Sequence, residues 1–305
     1  MGDKQRSQTV STKQQRIAEL ARQMAGRQLT SLSHHIDLDW MYEAYRVTRK
    51  DGAVGIDGES AEAFAEDLEG NLQKLLDGAK TGQYLAPAVR RVNIPKGKGK
   101  TRPLGIPTFG DKVLQRAFVM ALEPVYEQDF LDCSYGFRPG RSAHQALDAI
   151  WIQMMNMGGG WLLDLDITGF FDAMEKSQIQ EFVRQRVTDG VVKRMIGKWL
   201  NAGVMEDGQM THSDKGTPQG GVMTPPTEWK TFRGEVVYCG RSFKRGPGTV
   251  GRKVNELVDE RHWAGQKLDI RTVSRQTLFT HETRIENSGC VRTYSSWRSA
   301  SSPGV

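Results

Sequence analysis

"LLDLDITGFFD", Leu162–Asp172, is the stretch on which the reading of this chain turns. With Trp161 it opens a segment, WLLDLDI, apolar enough to form a buried strand. Strand alternation sends Asp164 and Asp166 to the same face. A carboxylate at the end of a buried strand is costly unless it is paired or binds a cation. Magnesium is the natural cation for such oxygen donors. Taken alone, the stretch also reads as strand-end aspartates that cap the next element.

Upstream, "AVRRVNI" (Ala88–Ile94) alternates like a strand, "PKGKGKT" makes a turn, and "RPLGIPT" returns as a second strand. Between Gly78 and Gly110 stand Lys80, Arg90, Arg91, Lys96, Lys98, Lys100 and Arg102, with no acidic residue. Lysine offers point charges and arginine a planar fork, which suits phosphate; a solvated turn is the other reading.

Helical spacing extends from Lys13 to about Gln28, and again from Leu38 to Arg49, where "KDGAVGIDG" stops it. Ser60 opens a third helix with Phe64, Leu68, Leu72 and Leu75 as its apolar stripe. Asp111 is expected to cap a helix through about Glu127, and Ser142 another through about Met155. Further helices are expected at 176–187 and 191–200. "GVMEDGQMTHSDKGTPQGG" reads as a hairpin leading into a turn. Its glycines and Pro218 let backbone approach a ligand closely, and Gln219 adds an amide. Residues 1–12 are polar and read as loose.

Three cysteines among 305 residues, with no CxxC pair, fit a reducing, cytosolic setting without a disulfide or zinc framework. No apolar run is long enough to span a membrane. The net charge of +6 is unevenly placed. Pro226 onward carries 14 Lys/Arg against 8 Asp/Glu, which leaves 28 of each before it. Mild basicity suits a polyanionic partner without establishing one.

In order along the chain, "GAVGIDG", "IPKGKGKTRPLGIPTFGDKVLQRA", "CSYGFRPGRSAHQAL", "LLDLDITGFFD" and "GTPQGGVMTP" resemble the successive blocks of the reverse transcriptases encoded by bacterial group II introns. "RPLGIP" and "YGFRPGRS" are the most specific. The resemblance covers about residues 35–225. It implies an α+β, right-hand polymerase fold with fingers and a partial palm, and RNA-directed DNA synthesis with a splicing (maturase) role. The implied partners are intron RNA, an RNA template with a DNA primer, and deoxynucleoside triphosphates. Two Mg2+ ions are the implied cofactor, held by Asp166 and the Ile167 carbonyl. Arg102 and Lys96 would touch the incoming triphosphate. Phe171 would lie under its sugar and exclude a 2′-hydroxyl, and Gln219 would contact nucleotide and template. Arg90, Arg91, Lys98, Lys100, Arg138 and Arg141 are the expected RNA and phosphate contacts, and Asp172 is given a structural role.

The resemblance stops at one point. The family completes its metal site with a Tyr-x-Asp-Asp turn downstream of "TPQGG", and this sequence has no Asp-Asp pair. Its nearest acidic neighbours in the tail, Asp259 and Glu260, read as a charged helix face. After "TP" the chain continues "PTEWKTFRGE" and becomes rich in Arg, Ser and Gly, which a frameshift or fused foreign frame explains better than gradual divergence. The expected organisation is therefore an N-terminal helical extension (1–34), fingers and partial palm (35–225) and an irregular basic tail (226–305). In it, "WLLDLDI" lacks the strand partner that the palm hairpin would supply.

Overall fold

Along the chain run α1 (Asp3–Gln23), α2 (Leu38–Val47), α3 (Ala61–Ala65), α4 (Leu68–Thr81), β1 (Val89–Gly97), β2 (Lys100–Ile106), α5 (Phe109–Tyr126), α6 (Ala143–Asn156), β3 (Trp161–Ile167), α7 (Lys176–Arg184), α8 (Gly190–Leu200), β4 (Val204–Glu206), β5 (Gln209–Thr211) and β6 (Leu268–Ser274). The computed structural model describes residues 2–97, 99–156, 161–167, 175–212 and 268–274, with β3 and β6 described by their backbone. The fold is α+β, and the chain divides into two compact units: Met1–Phe130 with Gly169–Phe232, and Leu131–Thr168 with Arg233–Val305.

In the first unit α5 is the core. Its side chains are buried nearly all round, including Val113, Leu114, Ala117, Phe118, Ala121, Leu122 and Val125. A helix apolar on all sides must be wrapped by others, and α1, α2, α3 and α4 pack on it. Polar groups are satisfied within this packing. Trp40 Nε1 donates to the Ala117 carbonyl at 2.9 Å, and Gln14 Nε2 to that of Met120 at 3.1 Å. Edge-on aromatic contacts join the layers, Phe64 on Phe109 and Phe118 on Trp199, each with ring centroids 5.3 Å apart.

α5 begins two residues before the expected cap. Thr108 caps it, its Oγ1 accepting from the Asp111 amide at 3.3 Å. Asp111 is instead buried in the first turn. Its carboxylate accepts from Tyr84 Oη (2.7 Å), Trp199 Nε1 (2.6 Å) and Gln115 Nε2 (2.8 Å). Burial pushes its pKa up, against those three donors, which favour the ionised form. This one carboxylate ties the start of α5 to α8 and to the segment before β1.

α1 also departs from expectation, since it is helical from Asp3 rather than from Lys13. Arg6 Nε meets Asp39 Oδ1 at 3.2 Å, and Ser7 Oγ donates to Glu43 Oε2 at 2.7 Å, both on α2. Val10 is fully buried. Docking on α2 thus orders a segment that its own polar composition would leave loose.

Beyond α1 the chain is fastened by the loop between α7 and α8. Arg186, 1 % exposed, donates to the Ala21, Met24 and Arg27 carbonyls and to Asp129 Oδ2. It thereby satisfies the orphan Ala21 carbonyl in the last turn of α1 and ties down the chain that follows. Asp189 caps α8 through Val191 and Val192 while its other oxygen accepts from the Leu32 and Ser33 amides. Burial works to raise the Asp189 pKa, yet these hydrogen bonds carry it below the usual carboxylate range.

The first unit also holds a sheet of order β2-β1-β4-β5. β1 and β2 form the expected hairpin, and β4 joins β1 in parallel through Val89↔Val204 and Arg90↔Met205. β4 and β5 are the hairpin expected in "GVMEDGQMT".

In the second unit Ser142 caps α6 as expected. Its Oγ accepts from the Gln145 amide, and the Gln145 side chain accepts in return from the Ser142 amide. The strand β3 is not left unpaired: β6, from the tail, runs antiparallel to it from Trp161↔Ser274 to Ile167↔Leu268. "LDIRTVS" alternates apolar and polar residues over its first four positions, Leu268–Arg271, and carries the β-branched Ile270, Thr272 and Val273 that suit a strand. The helix face read at Asp259 and Glu260 lies outside the described residues, as does the rest of the tail.

Candidate nucleic-acid interface

The cationic hairpin is built on a fixed base. Arg90 directs Nε and Nη2 at the Val54 carbonyl, at 3.1 and 2.7 Å. Lys112 Nζ reaches the Ala53 carbonyl at 2.6 Å, and burial lowers its pKa. Gly55 lies so close to α5 that a Cβ there would stand 2.5 Å from Thr108 Cα and 2.7 Å from its nitrogen. Only glycine permits that approach. Two blocks read separately in the sequence, "GAVGIDG" and "RPLGIPT", are therefore one packed unit. Arg91 and Asn93, on the opposite face of β1, hold Glu206 of β4 at 3.1 and 3.3 Å.

The register assigns the remaining hairpin residues. Arg90, Val92 and Ile94 of β1 stand opposite Ile106, Leu104 and Arg102 of β2, and so share one face. Arg102 is half-buried there, beyond an apolar strip. Lys96 and Lys100 flank the turn on the strands. Lys98, Phe171 and Gln219 lie outside the described residues.

The "YGFRPGRS" block forms a turn in the second unit. Arg138 is buried and points inward, Nη1 donating to the Leu131 and Ser134 carbonyls at 2.9 and 2.7 Å. Arg141 lies over the Tyr135 ring, 5.3 Å from its centroid, with Asp132 at 3.8 Å. Among the expected phosphate contacts, Arg90, Arg91, Arg138 and Arg141 thus hold the protein's own backbone or carboxylates. Their charges are countable in the sequence, but their partners are not: Val54 and Glu206 come from other segments, and Arg138 and Arg141 turn back on residues just before them.

On β3, Asp166 and Ile167 occupy the last two positions, and Asp269 of β6 stands at the register position opposite Asp166. No local pattern marks Asp269 in the sequence, because its place depends on the pairing of β6 with β3. Among the described residues no group of three His, Cys, Asp or Glu is placed to hold a metal ion. No described helix is long and apolar enough to cross a membrane.

Residues 94–229 match the family described as reverse transcriptase (RNA-dependent DNA polymerase). This stretch is therefore similar to reverse transcriptases, and the relatives that the chain resembles include a protein encoded by a group II intron. Among its relatives, Protein YkfC of Escherichia coli is 37% identical over 193 residues, covering 61% of this chain and 51% of that protein. The group II intron-encoded protein LtrA of Lactococcus lactis is 39% identical over 173 residues, covering 56% of this chain and 28% of LtrA. The chain spans about half the length of the first of these and about a quarter of the second. A solved partial Cas6-RT-Cas1–Cas2 complex is similar over 63% of this chain and 33% of its own, at 19% identity and a TM-score of 0.39. Reverse transcriptases use divalent metals and bind nucleic acid.

Proposed function

We propose that this chain supplies the fingers and first palm segment of a group II intron-type reverse transcriptase, and that it binds RNA through the β1–β2 hairpin. The observation that carries the reading is the division of labour in that hairpin. Arg90 and Arg91 fix the base, while Lys96, Lys100 and Arg102 occupy strand positions nearer the turn, with Lys98 between them in the sequence. The chain's boundaries would follow the sequence: helical extension to about residue 34, fingers and partial palm to about 225, then the basic tail. In a complete site Lys96 and Arg102 would meet the triphosphate of a deoxynucleotide, Phe171 its sugar, and Gln219 nucleotide and template. Asp166 and the Ile167 carbonyl offer the oxygen donors that magnesium takes. Two such ions would activate the primer hydroxyl and neutralise the leaving phosphate. A cytoplasmic setting fits the sparse cysteines.

A second reading is favoured by the absence of an Asp-Asp pair from these 305 residues. In it the chain binds intron RNA as a splicing helper and makes no DNA by itself. Both readings require RNA binding, which salt dependence tests. Replacing Lys96, Lys98, Lys100 and Arg102 together by Ala should weaken single-stranded RNA binding. The slope of log affinity on log salt should fall by about 0.7 for each phosphate that is no longer neutralised. An unchanged slope refutes the hairpin as the RNA-binding element.

A further inference from the structure

Phe137 stands in the "YGFRPGRS" turn with φ 54°, in the left-handed region, and is 57% exposed. Both features run against the residue type. A bulky side chain at positive φ is a backbone outlier that Gly or Asn would adopt more easily. A large aromatic ring also gains nothing from standing in water. The turn is built to hold it there all the same. Arg138, the next residue, is 8% exposed and clamps the loop through the Leu131 and Ser134 carbonyls. A residue in a strained conformation persists where its surroundings over-determine it, and such positions cluster at ligand clamps. The neighbouring planar groups have the same character. Tyr135 carries the Arg141 guanidinium over its ring, and Gly140, at φ 70°, reverses the chain between the two arginines. An exposed ring in the same turn as a guanidinium suits a flat, electron-rich group linked to phosphate, and every nucleobase has such a face.

From this geometry we infer that Phe137 is a stacking platform for an unpaired base of single-stranded RNA, with Arg141 of the same turn exchanging its Asp132 contacts for the adjoining phosphate. The inference rests on the RNA-binding reading above and adds to it a contact that reads unpaired strand rather than charge. Its backbone strain is then the consequence of presenting the ring outward.

The experiment uses the full chain, short single-stranded RNA, the same RNA with abasic positions, and duplex RNA. Removing a base–aromatic stack by alanine substitution weakens binding by about 5- to 150-fold per base. Phe137→Ala should therefore weaken single-stranded binding about tenfold or more, and Phe137→Tyr should restore it. Abasic and duplex RNA should bind the parent and Phe137→Ala alike. Phe137→Gly should bind as weakly as the alanine variant while melting at a higher temperature than it, since glycine relieves the positive φ. Single-stranded binding unchanged in Phe137→Ala overturns the stacking site alone. Equal losses on intact and abasic RNA overturn it too, by showing a structural role. A parent chain that binds no RNA overturns both the site and the reading on which it rests.

Discussion

Replacing Arg186 by Met keeps the length of the side chain and removes every donor. Four acceptors lose a hydrogen bond: the carbonyls of Ala21, Met24 and Arg27, at and just beyond the end of α1, and the Asp129 carboxylate. The Asp129 side chain is 23% exposed and can recover some water, whereas the arginine site itself is 2% exposed. Breaking a buried charge pair by deleting one partner costs about 3–5 kcal/mol. That is a large part of the roughly 5–15 kcal/mol that holds a domain together. For a unit of this size each kcal/mol moves the melting temperature by about 2–4 °C, so the shift should be roughly 6–20 °C. Arg186→Lys retains the charge but not the fork, and should fall between parent and Met variant. Thermal melting gives the total, and amide exchange locates it. The bridge between Leu29 and the 186–188 loop, Leu29 N to Arg186 O at 2.7 Å and Thr188 N to Leu29 O at 2.9 Å, should lose protection first. A Met variant within about 1 kcal/mol of the parent, with that protection intact, refutes the clamp.

Gly55→Ala forces a Cβ against the Thr108 backbone, and should cost about 3 kcal/mol or more by denaturant titration; a neutral result means that the loop and α5 are not packed together. The Asp189 pKa is lowered on folding, so its contribution is present above the unfolded carboxylate value near ~4 and is lost as pH falls through the folded value. Asp189→Ala should therefore flatten the acid limb of a stability–pH curve, besides costing about 1 kcal/mol as a lost cap. Asp111, raised by burial, works in the opposite sense: its contribution is greatest below the unfolded value and declines as pH rises through the folded one. Asp111→Asn should remove that decline.

The blocks that identify the domain are legible because each is a local pattern: alternation in β1, the glycine turn at 52–58, the apolar strand β3. What is not legible depends on distant partners. Asp111 reads as an N-cap from its place before a helix, yet Tyr84 and Trp199, far from it in sequence, make it a buried acceptor. The first ten residues of α1 have little apolar face, and are ordered by Asp39 and Glu43 on another helix. Arg90 and Arg138 contribute equally to a count of positive charge, but carbonyls at 54, 131 and 134 turn them inward. The family resemblance points to a palm hairpin as the partner of β3. The partner is instead Leu268–Ser274, whose alternation is short enough to pass unnoticed in a basic tail. The site is the part least legible in advance, since register and not spacing sets Asp166 and Asp269 opposite each other.

On the proposed reading, this chain holds the RNA-binding half of a polymerase site without a complete metal site. Primer extension on an RNA template with magnesium is the decisive assay, run beside RNA binding by the same preparation. RNA should bind with a salt dependence set by the hairpin, and no primer should be extended. Template-dependent DNA synthesis abolished by Asp166→Ala contradicts this, and its loss in Asp269→Ala as well would place the missing carboxylate on β6.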